Sequence, residues 1–283
     1  MTVYNPVSQD RPRGRQGRPV RSPAALAAQD ILGGLAAWRL WSMLGWLDIR
    51  QRYRRSMLGA FWLTISMGVM VMALGTLYAS LFKMNTAEFI PFIAGGLTIW
   101  GFLSTTIGDG TTVFTSADGI IKGGGIPLTV HVLRIIWRNI IILAHNITVI
   151  PVIYLWFGIV PSWHLVLLVP GMILVVANLF WIIMIVGPLC TRFRDLPPVV
   201  QNALQIFFFM SPIIYKPELL AERYGFFLDW NPFHHLIEVV RAPLIGQVPD
   251  SLSYIVLCGM LLVGGAVSWL FFQRFRSRIS YWL

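Results

Sequence analysis

Charge is what this sequence has least of. Only 12% of its 283 residues are Asp, Glu, Lys or Arg, while 56% are hydrophobic. A soluble domain carries about 25% charged residues, so half the usual polar cover is missing. That excludes a solvated globular enzyme and a disordered protein. Cysteine is nearly absent too: Cys190 and Cys258 are the only two. They fall toward opposite ends of different apolar runs, which excludes a disulfide framework and leaves them as packing residues. No G-x-x-x-x-G-K-[ST], H-E-x-x-H or C-x-x-C occurs, so the chain has no phosphate loop and no zinc-ligand spacing. Of its five histidines only His234 and His235 are adjacent, and neighbours on a helix point in different directions. No metal site is expected.

What is present in their place is a set of long runs without charge. Ala60–Phe82, Phe89–Gly108, Asn139–Phe157, His164–Cys190, Val199–Tyr215 and Ser251–Gln273 contain no Asp, Glu, Lys or Arg. A helix needs about 20 apolar residues to cross a bilayer core, and the fifth run alone is short of that. Lipid offers the backbone no hydrogen bonds, and the runs lack the two-residue alternation of a barrel, so each is expected to be helical. The fold class is therefore an all-α polytopic membrane protein with six transmembrane helices.

The net charge of +10 would suit a nucleic-acid binder if the cations formed a patch, but they follow the runs instead. Taking the six spans in alternation, Lys and Arg number ten in residues 1–59, three in 109–138, two in 191–198 and three in 274–283. That places eighteen of twenty-two on one side; Lys83, Lys216, Arg223 and Arg241 fall on the other. Acidic residues divide six and six, so the bias belongs to the cations, as in the positive-inside rule. Both termini are expected in the cytoplasm, with anionic lipid rather than nucleic acid attracting the basic side. No cleaved signal peptide is expected, since about 25 polar, Arg-rich residues precede the first apolar segment.

Between the runs, residues 1–23 are rich in Arg, Pro and Gly and read as a disordered cytoplasmic arm. Residues 24–59 mix Trp38, Trp41 and Trp46 with Arg39 and Asp48, which suits an amphipathic helix lying in the membrane interface. Residues 60–283 form the transmembrane domain. The outer segment after the fifth run, WNPFHHLIEVVRAPLIG, is too apolar for an exposed loop and too short to cross twice, so short re-entrant helices are expected before the last span.

Several local motifs carry a family likeness. DIRQRYRRSMLGAFW (Asp48–Trp62), GIIKGGGIP (Gly119–Pro127), RFRDL (Arg192–Leu196), FFFMSPIIY (Phe207–Tyr215), Asn231-Pro232 followed by Glu238 and Arg241, and the closing ISYWL occur in that order over residues 48–283. Together they resemble the permease subunits of type-2 ABC exporters of polysaccharides. The three consecutive glycines of GIIKGGGIP depart from that family's usual wording. The resemblance implies a permease without its own nucleotide site or cofactor, acting as a homodimer. It also implies two copies of a separate ATP-binding subunit that hold ATP and Mg, and a cargo of polyprenyl-pyrophosphate-linked glycan such as O antigen, capsule or teichoic acid.

Four groups of residues are candidates for that work. Arg50, Arg52, Arg54 and Arg55 could hold the lipid pyrophosphate, because guanidinium groups bind phosphate bidentately. Trp62, Ser66, Val69, Ala73, Thr76 and Ser80 on the first span recur at helical spacing, as do Gln201, Gln205, Phe208, Pro212 and Tyr215 on the fifth. Hydroxyls, amides and aromatic faces of this kind suit a sugar conduit, and the resembled family places these two spans there. Gly119, Lys122 and Pro127 mark a loop expected to couple to the ATPase. Asn231, Pro232, Glu238 and Arg241 are expected at the outer gate, where Glu238 and Arg241 are three apart and able to pair. The rival readings are an exporter of small hydrophobic compounds and a membrane-embedded glycan-processing enzyme using Asp109 and Asp118. A proton-coupled transporter is disfavoured, since no run carries a carboxylate.

Overall fold

The computed structural model describes residues 22–54, 56–59 and 61–283, and only the backbone at 219–224. The arm expected over residues 1–23 therefore lies almost wholly outside the described residues. Among them no strand occurs, and the chain is a succession of helices. Five are long and apolar enough to cross a membrane: Phe61–Leu81 (α3), Thr86–Gly110 (α4), Leu128–Phe157, Trp163–Arg192 and Ser251–Trp282 (α12). The fourth comprises a 3₁₀ turn, Trp163–Leu167, and α8, Leu168–Arg192. The run expected over Val199–Tyr215 is a shorter helix, α9, Leu196–Met210.

The third crossing begins before the charge-free run Asn139–Phe157. Its first part, α6 (Leu128–Asn146), carries Arg134 and Arg138, and its second, α7 (Val149–Phe157), follows a break. Pro151 explains the break: it has no N–H, and its ring collides with the carbonyl four residues back, at Ile147. The Ile147 carbonyl accepts instead from Ile150 N at 3.0 Å, and the nearby carbonyl of His145 accepts the hydroxyls of Thr148, at 2.6 Å, and of Thr64 from α3, at 2.9 Å. Hydroxyl side chains thus add hydrogen bonds to the backbone beside a proline break inside an apolar environment.

Helix α4 is the centre of the bundle. It has 83% of its most apolar stretch buried within the chain, against 11% for α3, although the two are similarly hydrophobic. The most extensive pairing is between α8 and α12. Buried apolar side chains such as Leu179 and Leu257 pack there, and a buried asparagine and a glycine add to them. Asn178 donates to the Leu257 carbonyl at 3.2 Å and accepts from Trp181 Nε1 at 2.8 Å, and a Cβ at Gly264 would come within 2.4 Å of the Trp181 ring. Small residues and interhelical hydrogen bonds are what hold helices together where lipid removes the hydrophobic drive. Asn178→Leu is expected to cost about 1 kcal/mol, read as a lower tryptophan-fluorescence melting temperature of the purified chain in detergent. Unchanged melting would show that the two helices need no polar link.

The single interface helix expected over 24–59 is instead two, α1 (Pro23–Ala36) and α2 (Trp38–Arg52). They bend at Ala37 because both lie on the start of α6. Gly34 sits where a Cβ would be 2.6 Å from the Thr129 side chain, and a Cβ at Gly45 would lie 3.0 Å from the Arg134 carbonyl. Their other side exposes Leu32, Trp38, Met43 and Trp46. Two charged clasps fasten α1 and α2. Asp30 accepts from Leu128 N (3.2 Å), Thr129 N (3.0 Å), Thr129 Oγ1 (2.9 Å) and Arg276 Nε of α12 (2.8 Å). Asp48 takes both Arg134 and Arg138, and Arg138 continues to Asp109 on α4.

Two short helices precede α12: α10 (Glu218–Asp229) and α11 (Pro232–Leu244). Helix α11 is buried against α4, α8 and α12. Its Pro243 leaves the Val239 carbonyl without a helical donor. Gly171 of α8 allows that carbonyl so close that a Cβ there would lie 2.5 Å from it. Cys190 is buried, whereas Cys258 is exposed on α12, so Cys258 is not the packing residue expected of it.

Candidate functional site

The polar residues of α9 do not face an empty side of the bundle. Helix α9 packs on α4, and the seam between them is a chain of adjoining cavities. The largest, of about 620 Å³, is lined by Ser104, Thr105, Asp109, Thr111, Thr112, Pro197, Pro198 and Gln201. Toward one end it shares Thr111, Thr112 and Pro197 with a second cavity of about 330 Å³ that also reaches Thr115, Asp118 and Arg194. Toward the other it shares Ser104 and Gln201 with a third, also about 330 Å³, bounded by Trp100, Asn202, Gln205 and Phe208. Hydroxyls and amides line the seam along its length, and an aromatic pair closes it, Trp100 against Phe208 at 5.8 Å. Gly108 makes room for Gln201, whose Nε2 would be 2.5 Å from a Cβ at that position. Ser104 and Thr105 of α4, and Thr112 just beyond its end, carry no distinct signal in the sequence, because a hydroxyl every few residues on a buried helix reads as packing.

The two expected conduit faces are placed differently. On α3, Trp62, Ser66, Val69, Ala73, Thr76 and Ser80 are all exposed, forming one continuous stripe. The Thr76 hydroxyl is satisfied within its own helix by the carbonyls of Met72 (2.7 Å) and Ala73 (3.2 Å). On α9, Gln201 and Gln205 are exposed and Phe208 is half-buried, while Pro212 is buried beyond the helix end. Tyr215 folds back to donate to the Met210 carbonyl at 3.1 Å, closing the end of α9. The two faces are not buried against each other within one chain.

Arg50, Arg52 and Arg54 are exposed at the end of α2 and have no carboxylate partner among the described residues; Arg55 lies outside them. Gly119 and Lys122 lie on a short helix, α5 (Asp118–Gly123), where Lys122 pairs with Asp118 at 2.9 Å. The glycine triplet that departs from the family wording has a backbone reason: Gly124 and Gly125 have φ of 74° and 90°, which L side chains avoid. The chain then passes Pro127 directly into the α6 terminus that Asp30 caps. Asp109, half of the carboxylate pair of the enzyme reading, is bonded to Arg138 and to Asn139 Nδ2 (3.0 Å), and Asp118 is held by Lys122.

The four residues expected at the outer gate lie on or beside α11. Asn231 caps that helix, accepting from Phe233 N at 3.0 Å, and donates to Ser211 Oγ at 3.0 Å, tying the end of α9 to the start of α11. Pro232 occupies the first helical position, where its missing N–H costs nothing. Arg241 is 1% exposed, pairs with Glu238, donates to the Pro212 carbonyl and lies over the Phe92 ring at 4.1 Å. His235 extends the same assembly, bridging Ser253 Oγ of α12 and the Asp229 carbonyl, each at 2.9 Å.

Residues 39–245 match the family model described as ABC-2 type transporter. The chain is 23% identical over 234 residues to the O-antigen export system permease protein RfbA of Myxococcus xanthus, covering 82% of this chain and 89% of that one. It is 24% identical over 194 residues to the protein of the same name in Klebsiella pneumoniae, covering 67% and 74%. With the polysialic acid transport protein KpsM of Escherichia coli it shares 22% identity over 223 residues, 76% of this chain and 85% of that one.

Proposed function

We propose, for a chain that belongs to the ABC-2 type transporter family, that it forms the conduit of an exporter carrying a lipid-linked polysaccharide across the bacterial inner membrane. The observation that carries this reading is the α4–α9 seam. A sugar polymer needs many exchangeable hydroxyl partners and flat apolar faces, and no deep pocket that would trap it. Ser104, Thr105, Thr112, Gln201 and Gln205, leading to Trp100 and Phe208, supply that mixture. A small hydrophobic cargo would need an apolar passage instead. The O-antigen and polysialic acid functions in the names of the similar proteins support the same cargo class.

In this reading α9 is a sixth crossing, both termini are cytoplasmic, and α10 and α11 re-enter the outer leaflet. Two chains assemble so that the exposed stripe of α3 from Trp62 to Ser80 faces the seam of the assembly. Two copies of a separate ATPase, holding ATP and Mg, meet the α5 loop through Gly119 and Lys122, with Pro127 passing the movement to α6. Arg50, Arg52, Arg54 and Arg55 hold the pyrophosphate of the lipid carrier at the cytoplasmic face, and the first three have no competing carboxylate among the described residues. Asn231, Pro232, Glu238 and Arg241 brace the outer gate.

The test is a bulky thiol label at Gln205→Cys in a chain whose exposed Cys258 has been changed to Ser. Labelling is expected to abolish export, seen as lipid-linked glycan accumulating in the cytoplasm. Full export after complete labelling would remove α9 from the path.

A further inference from the structure

At the α10–α11 end of the bundle a charged cavity and an apolar one share a wall; Glu238 and Arg241 of the gate line the first, and neither cavity belongs to the α4–α9 seam. The charged cavity, about 330 Å³, is bounded by Glu88, Lys216, Glu218, Glu238 and Arg241. The apolar one, about 440 Å³, is bounded by side chains such as Ile150, Pro151, Leu155 and Leu244 around the α6–α7 break. Tyr154 and Ile159 line both. Leu155 is 85% exposed, so the apolar cavity opens on the lateral, lipid-facing surface of α7.

We infer that this pair of cavities binds one zwitterionic phospholipid with a primary ammonium headgroup, in the leaflet on the α10–α11 side. An occupant must be amphipathic on the scale of the two cavities: an acyl chain for the slot beside Pro151, and a polar head for the charged chamber. Tyr154, at the junction, is the residue type that settles at headgroup depth. The charges choose the head. Arg241 is already committed to Glu238 and to the Pro212 carbonyl, which leaves Lys216 as the cation for a phosphate. Lys216 meets Glu88 only at 3.7 Å, and Glu88 is 70% exposed there, so the pair is loose and a phosphate can replace it. Among the described residues lining it, three carboxylates against two cations leave one negative charge over. A zwitterionic head leaves that excess unchanged and gives the spare carboxylate an ammonium to meet, whereas an anionic head without an amine adds to it. The inference is independent of what is exported.

Native mass spectrometry of the full chain, delipidated in detergent and then given phosphatidylethanolamine or phosphatidylglycerol of identical acyl chains, tests it. One phosphatidylethanolamine per chain should survive, held about tenfold better than phosphatidylglycerol. Lys216→Glu, which inverts the phosphate partner, and Ile159→Trp, which narrows the shared wall, should each bring retention down to the phosphatidylglycerol level. Leu262→Trp, an exposed change on α12 away from the cavities, should leave it unaltered. Equal retention of the two lipids would overturn the inference. So would full phosphatidylethanolamine retention in Lys216→Glu, or the same loss in all three variants.

Discussion

Asp30→Ala is expected to cost about 3 kcal/mol, toward the lower end for breaking a buried ion pair because Arg276 keeps 30% of its side chain exposed. The Asp30 side chain is itself fully enclosed, and four donors converge on it. Two are backbone N–H groups of the first turn of α6, which have no partner inside the helix; one is the Thr129 hydroxyl and one the Arg276 guanidinium. Alanine leaves the three donors of α6 behind in a buried setting, where each orphaned donor carries a desolvation cost, and takes from the half-exposed Arg276 its carboxylate. Asp30→Asn should lose less, since its amide oxygen still accepts from α6 while the attraction to Arg276 is gone. In a tryptophan-fluorescence melt, Asp30→Ala should lower the midpoint by about 5–10 °C, with Asp30→Asn between it and the parent. A midpoint within about a degree of the parent in both would mean that α1 is held by Gly34 and its apolar contacts alone. Because the α5 loop runs straight into this capped turn, the same variant should also weaken export.

That clasp joins residues 98, 99 and 246 positions away from Asp30, and so marks the boundary of what could be read from the chain alone. Apolar run length and the cation bias are one-dimensional signals, and they suffice for an all-helical membrane protein with its long helices near the right residues. They do not say which long helix is central. Helices α3 and α4 have almost equal hydropathy, and α4 is buried because glycines along it admit Gln201, Ile213 and Arg241 at close range. The early start of the third crossing was hidden for a similar reason. Arg134 and Arg138 look like loop cations until Asp48 and Asp109, from other helices, are seen to neutralise them. The split at Ile147 was in principle legible, since Pro151 stands inside an otherwise unbroken run. For the site, the spacing of Gln201, Gln205 and Phe208 marked the polar face of α9. The facing hydroxyls of α4 gave no comparable signal, because a serine or threonine in an apolar helix usually bonds its own backbone, as Ser104 does to the Trp100 carbonyl.

Removing Glu238 should be more damaging than removing Glu238 and Arg241 together. In the parent chain the Arg241 guanidinium is 1% exposed and has one carboxylate, one carbonyl and one aromatic face around it, with its Nε unpartnered. Glu238→Ala leaves that cation enclosed with only the Pro212 carbonyl and the Phe92 ring, at an expected cost of about 3–5 kcal/mol. Burying an uncompensated charge is the dominant part of that cost, so taking the charge away should recover much of it. Glu238→Ala combined with Arg241→Met fills the space beside Gly95 with an adaptable apolar side chain. It is expected to lose at least 1 kcal/mol less than the single variant, a non-additivity of the size seen for residues in direct contact. Melting of the parent, both single variants and the double closes the cycle. Simple additivity would show that Arg241 is solvated rather than enclosed, and would leave α11 held against α4 by its apolar face. If the coupling is present, α11 cannot move away from α4 without exposing a paired charge. The outer assembly would then shift as a unit, with Asn231 carrying the end of α9 along with it.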